Sequence, residues 1–231
     1  MLCKVADLLV EVPATGDMPQ RCKEYLYTGE GRPDIVIDIA EYNPNRWPGL
    51  QGAELDYMES GVHFFLKLLQ FNGMMLHSSA VVRDGKAYLF TARSGTGKST
   101  HTRLWRETFG DRVSMINDDK PFLKILPQGV TVFGTPWQGK HRLGQNTSVP
   151  LKALCILCRG EENRMEPITP KEALPILLQQ TFSPVDPQAM IQTLALVQQL
   201  SKTVRLYRLY CNMDPQAALV ARDAIFDKEN V

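Results

Sequence analysis

The segment Tyr88–Trp105, YLFTARSGTGKSTHTRLW, constrains the fold more than any other stretch of the chain. An apolar run enters a loop of Gly, Ser and Thr that ends in Gly97-Lys98-Ser99-Thr100. A helical pattern follows, with Leu104, Trp105 and Phe109 on its inner face and Gly110 as its stop. Residues Ala92–Ser99 fit the spacing G-x-x-x-x-G-K-[ST] of a phosphate-binding loop, except that Ala92 takes the first glycine position, where a small residue still fits. The chemistry explains the residue types. Gly95 and Gly97 let the backbone turn so that successive N–H groups converge on phosphate oxygens. A helix starting near Lys98 adds the positive end of its dipole. Lys98 supplies a mobile cation, and the Ser99 hydroxyl is a Mg²⁺ ligand of the right hardness. Ser94, Thr96 and Thr100 complete the nucleotide-binding stretch. Arg93, inside the loop, faces either phosphate or solvent.

A second element lies about twenty residues on, where the apolar strand in RVSMINDDKPF ends at Asp118-Asp119. Carboxylates there can hold Mg²⁺ or accept a proton from an attacking hydroxyl. Neighbouring side chains on a strand point apart, so both are useful only if the strand ends there, and Pro121 supports that break.

The rest of the chain reads as α/β. Residues 1–40 suggest short strands, clearest in DIVIDIA, where Ile35, Ile37 and Ile39 alternate. EYNPNRWPGLQG is a loop, and a helix is expected from Glu54 to Gln70, with Gly73 at its end. LHSSAVVRDGKAYLFTA reads as a hairpin about Asp84-Gly85, and its second strand runs into the glycine loop. Further strands are expected in VTVFG, LKALCILCR and TVRLYRLYC. Helices are expected over Lys171–Thr181, Pro187–Leu200 and Pro215–Phe226. This divides the chain into a strand-rich N-terminal subdomain, 1–52, and a loop-bearing domain, 53–231, which together can form one compact unit. With 231 residues, 44% hydrophobic, the chain can bury a substantial core. A net charge of +1 gives no reason to expect nucleic acid or a membrane surface as partner. Lys4, Asp7 and Glu11 break up the first apolar stretch, against a signal peptide. Five thinly spread cysteines suggest a reducing, cytoplasmic setting. Cys155 and Cys158 read as core cysteines rather than a metal or redox pair.

Three motifs together carry a resemblance: LHSSAVV with His77, ARSGTGKST, and NDD. Over residues 76–124, about a fifth of the chain, they resemble the superfamily of HPr kinase/phosphorylase and phosphoenolpyruvate carboxykinase. The resemblance implies a mixed α/β sheet with flanking helices. It implies that Lys98 binds phosphate, that Ser99 binds metal, that Asp118 and Asp119 share the base and Mg²⁺ roles, and that His77 lines the site. Asp119 is the carboxylate assigned beside Ser99 to the metal. The chain departs from the pattern in lacking the acidic segment of the phosphorylase loop and the carboxykinase set of metal-binding Lys and His. Phosphorylase activity is therefore not expected. In that region stands GTPWQGKHRLGQN, whose Lys140, His141 and Arg142 form a basic loop able to clamp a transferring phosphoryl group, with Arg142 as the catalytic member. Trp137 there is either a pocket wall or a core residue. The activity implied is Mg²⁺- and ATP-dependent phosphoryl transfer to a hydroxyl acceptor, a serine in a peptide or protein, or a small molecule. A decarboxylating carboxykinase and a nucleotide-binding regulatory module are the alternatives.

Overall fold

A computed structural model describes residues 1–226 of the chain. Its fold is mixed α/β, a curled mixed sheet with flanking helices and a smaller sheet beside it. The small sheet holds β1 (Leu2–Val5), β2 (Leu8–Glu11) and β3 (Ile35–Val36). A short helix α1 (Met18–Arg21) lies between β2 and β3. The alternation expected of DIVIDIA holds for Ile35 and Ile37, which are buried, but not for Ile39, which is exposed. The strand stops because Asp38 accepts a hydrogen bond from the Ala40 amide and starts a single 3₁₀ turn.

Helix α2 (Gly52–Leu68) carries one face into the core and continues as a 3₁₀ turn. The residue that ends it is Asn72, not Gly73: Asn72 takes the left-handed conformation at φ 55°. Gly73 is small for a different reason, since a Cβ there would stand 2.1 Å from Phe122 Cε2. Gly73 opens β4 (Gly73–Met75), a strand that sequence periodicity does not reveal.

β5 (Ser78–Arg83) and β6 (Lys86–Thr91) form the expected hairpin. Asp84 and Gly85 both have positive φ, 51° and 67°, as a tight two-residue turn requires. Helix α3 (Lys98–Phe109) follows the glycine loop, and β7 (Val113–Asn117) returns to pair with β5. β8 (Phe122–Leu126) and β9 (Gly129–Phe133) form a second hairpin. The long β10 (Ser148–Arg159) joins the two halves of the sheet. Its first residues pair antiparallel with β9, and from Ala153 the same flank pairs with β12 (Arg205–Cys211). A bulge between Leu151 and Ala153 marks the change and lets the sheet curl. β11 (Arg164–Pro167) covers the edge of β12. The full order is β4-β8-β9-β10-β6-β5-β7, with β12 and β11 attached through β10.

Alternate residues of β10 face two layers. Leu154 and Ile156 pack with α4 (Pro170–Gln180) and α5 (Pro187–Thr203), while Ala153, Cys155 and Leu157 pack with α3 and α6 (Gln216–Phe226). Cys155 is fully buried and Cys158 half-buried. Each large apolar side chain so buried contributes roughly 1.5–3 kcal/mol. A third core joins Cys3, Val10, Tyr25 and Ile35 of the N-terminal segment to Phe64 and Leu68 of α2 and Phe122 of β8. Trp137 belongs to it: the ring is fully buried, stacks on Phe64 at 4.4 Å and donates to Ser60 Oγ at 3.0 Å. It is a core residue and not a pocket wall. No described helix is long and apolar enough to cross a membrane.

Candidate functional site

The sheet order brings three chain segments to one edge. β6 and β7 run the same way, with β5 antiparallel between them. The end of β6 (Thr91), the start of β5 (Ser78) and the end of β7 (Asn117) therefore lie together, with Ser78 opposite Thr91 and Ala80 opposite Asn117. The glycine loop, His77 and the two aspartates all emerge there.

In the loop, Gly95 and Gly97 have φ 76° and 120°, and a Cβ at either would meet nothing within 4 Å. The requirement is thus conformational, not steric. Gly97 precedes α3 with no side-chain cap, so the first amides of the helix face outward unsatisfied. Lys98 is buried, and its Nζ turns back to the Ala92 carbonyl at 2.9 Å. Burial lowers its pKa. Ser99 is exposed, as are Arg93, Ser94 and Gly95.

β7 ends at Asn117, whose side-chain oxygen accepts from the amides of Asp119 (2.9 Å) and Lys120 (2.7 Å). This local turn releases the strand alternation and frees both aspartates. They have different surroundings. Asp118 accepts from the Gly139 amide at 2.7 Å and shares a cavity of ≈ 370 Å³ with Ser99, Thr100 and His141. Burial pushes its carboxyl up, opposed by the Gly139 N–H. Asp119 is instead held by three side chains: Tyr57 Oη at 2.8 Å, Lys120 Nζ at 2.6 Å and His77 Nε2 at 3.3 Å. Burial alone would raise its pKa, but the Lys120 ammonium and the Tyr57 hydroxyl outweigh it and hold it low. Burial also lowers the pKa of His77, helped by the Lys98 charge. Its Nδ1 lies 3.1 Å from Gln180 Oε1. Asp118, not Asp119, is thus the carboxylate on the Ser99 side.

The basic loop is split. His141 faces the Ser99–Asp118 cavity. Arg142, at φ 48°, turns away and pairs with Asp17 beside a separate cavity lined by Arg21 and Lys23. The structure does not bring Arg142 to the glycine loop: its guanidinium is paired with Asp17 instead. Lys140 is exposed.

Periodicity and motif spacing missed several members of the site. Tyr57 comes from α2, far away in sequence, and Lys120 lies against its ring at 4.1 Å while Arg21 lies over it at 4.3 Å. Only Lys120 had a visible signal, as the residue next to the paired aspartates. On the far side of the loop a larger cavity, ≈ 480 Å³, is lined by Gly95–Gly97, Arg159 and Cys211–Met213, and Arg159 donates to the Gly95 carbonyl at 2.7 Å.

Outward amides, an inward-folded ammonium and a nearby hydroxyl and carboxylate make an arrangement that suits a phosphate chain with a hard divalent cation. Among the described residues, no group of three or more His, Cys, Asp and Glu side chains is arranged so that it could hold a metal ion by itself. A Mg²⁺ held by Ser99 would take its remaining ligands from phosphate and water, its usual habit.

Among solved structures, the chain is similar to the Hpr(Ser) kinase/phosphatase from Coxiella burnetii, at 12% identity and TM-score 0.39, over 68% of this chain and 93% of that one. A likeness that weak carries no argument about function. No curated protein matches the sequence. The family model described as "ScmC: SynChlorMet cassette protein ScmC" matches residues 53–216, which take in α2, the glycine loop and both aspartates. That match spans well over half of the chain, and the chain belongs to the ScmC family.

Proposed function

We propose that the chain is a Mg²⁺- and ATP-dependent phosphotransferase acting on a hydroxyl acceptor. One observation carries the reading: Ser99 and Asp118 share a cavity at the sheet edge where Lys98, His77 and Asp119 also stand. Bound Mg-ATP supplies an activated γ-phosphoryl group. The loop amides and the uncapped end of α3 hold its phosphates, and the nucleoside lies towards Arg159 and Met213 in the larger cavity. Lys98 leaves the Ala92 carbonyl for a phosphate oxygen, exchanging a neutral partner for an anionic one. Ser99 would hold the Mg²⁺, which would neutralise charge on the phosphates. Asp118 takes the proton of the acceptor hydroxyl as the phosphoryl group moves. Asp119 stays ionised and, through Lys120 and His77, keeps the charge beside Lys98 balanced.

Calorimetric titration with Mg-ATP tests the binding half. Lys98→Ala should weaken affinity by about tenfold or more, the loss of one strong charge-assisted contact. Unchanged affinity would end the phosphate-loop reading. ADP release tests the chemical half: Asp118→Asn should cut turnover about 10²-fold or more while binding stays near wild type. Turnover equal to wild type would remove Asp118 as the base, and a wild-type chain that binds Mg-ATP but releases no ADP would be a nucleotide-binding module without chemistry.

A further inference from the structure

Helix α3 carries more than its N-terminal end into the site. Ser99, Arg103 and Arg106 follow at i, i+4 and i+7, one face of the helix. All three line the ≈ 370 Å³ cavity, together with Asp118 and His141, and Met115 and Leu143 add an apolar wall. The two arginines differ. Arg103 is exposed and pairs with Glu107, one turn on, at 2.8 Å. Arg106 is half-buried, its Nε is shielded from solvent without a hydrogen-bond partner, and it forms no ion pair among the described residues. A guanidinium nitrogen withdrawn from water and left unpaired costs stability, and an anion in the cavity, where the rest of the group is partly open, would supply a partner for the charge. The phosphates of a nucleotide on the glycine loop do not fill that role. Arg106 stands two turns from the helix end, about 10 Å along the axis from Ser99.

We infer that the acceptor is a small hydroxyl compound bearing a second, anionic group, a carboxylate or a phosphate, and that Arg106 recognises this group while the hydroxyl lies at Asp118. The inference rests on the phosphotransferase reading and names its acceptor class. The length is consistent. Long helical side chains slant towards the N-terminus, so the guanidinium reaches back along the cavity towards Ser99, and one small molecule spans the gap. The cavity volume is at the lower end of the range for small ligands. Arg suits both anions, because its planar fork binds two oxygens at once.

The test uses the full chain saturated with Mg²⁺ and a non-hydrolysable ATP analogue. Glycerate, glycerol 3-phosphate and uncharged glycerol are titrated in turn by calorimetry. Both anions should bind at least about tenfold more tightly than glycerol. The tighter of the two tells carboxylate from phosphate. Arg106→Gln should remove that preference and leave the analogue's affinity unchanged, Arg106→Lys should restore part of it, and Arg103→Gln should have the smaller effect. Anion binding that is absent, or that persists unchanged in a folded Arg106→Gln, overturns the inference. The same titrations without nucleotide separate the two readings. Arg106-dependent anion binding in a chain that fails to bind the ATP analogue sustains the anion site and removes the phosphotransferase. Analogue binding without anion binding does the reverse.

Discussion

His101 stands one turn past the glycine loop and is buried at 2% exposure. The Trp105 indole N–H, 3.0 Å away, can only donate, so His101 Nε2 accepts and the imidazole is neutral. Burial lowers its pKa from 6.5 to about 3. The folded chain therefore binds fewer protons here than the unfolded chain between those values. Stability from this residue is complete above pH 6.5 and is lost as pH falls towards 3. The slope is at most about 1.4 kcal/mol per pH unit inside that window. His101→Gln keeps an acceptor for Trp105 and cannot take up the proton. Urea unfolding midpoints measured from pH 7 to 4 should fall less steeply in the variant than in wild type, and parallel lines would show that His101 does not titrate with folding.

The loop from Gly134 to Gly144 acts as an element, although it has no regular structure. It delivers the Gly139 amide to Asp118 and sets His141 and Arg142 on different sides. Its entry is tight. The Gly134 amide bonds to the Thr147 carbonyl at 3.0 Å, and a Cβ on Gly134 would fall 1.8 Å from the Gln145 carbonyl oxygen and 2.9 Å from that of Ile116. Both are backbone atoms, Ile116 in β7 and Gln145 hydrogen-bonded to it at 3.2 Å, so neither swings aside as a side chain would. Gly134→Ala should cost about 2 kcal/mol or more, read as a lower urea midpoint with an unchanged slope. Because the shift propagates to Gly139 and thus to Asp118, turnover should fall in the folded fraction as well. A variant as stable as wild type would mean the loop relaxes freely and does not position the site.

At the scale of the molecule, the N-terminal segment does not stand apart. Its apolar residues share one core with Phe64, Leu68, Phe122, Phe133 and Trp137. Polar contacts cross the same boundary: Arg21 donates to the Gln138 carbonyl at 3.0 Å, and Arg142 pairs with Asp17. Buried Glu59 ties the preceding loop to α2 through the Trp47 indole at 2.7 Å and the Asn43 amide at 2.8 Å. A fragment of residues 53–231 would expose that whole apolar face to water, at roughly 1.5–3 kcal/mol for each large side chain. It should be recovered aggregated, or as a loosely packed state without near-ultraviolet dichroism. A fragment that is monomeric and unfolds cooperatively would show that the two parts fold independently.

Local chemistry was enough wherever a feature depends on neighbours in sequence. The Asp84-Gly85 hairpin, the left-handed glycines of the loop, the start of α3 and the strand break before Asp118 are all set within a few residues, and each was legible. The same holds for Trp105 and Leu104 as inward residues of α3. Partners distant in sequence were not legible. Tyr57 reaches Asp119 across 62 positions, and Arg142 reaches Asp17 across 125. No periodicity records such pairs, because they arise where separate elements are packed by the burial of apolar faces. Motif order groups Lys140, His141 and Arg142, and the family resemblance sets Asp119 beside Ser99. In the fold, His141 and Asp118 line the cavity, while Arg142 and Asp119 are paired with other side chains. The kinds of groups available were written in the sequence, and their division between cavity and scaffold came from packing, since a charged side chain near a core turns to whichever partner the tertiary structure leaves within reach.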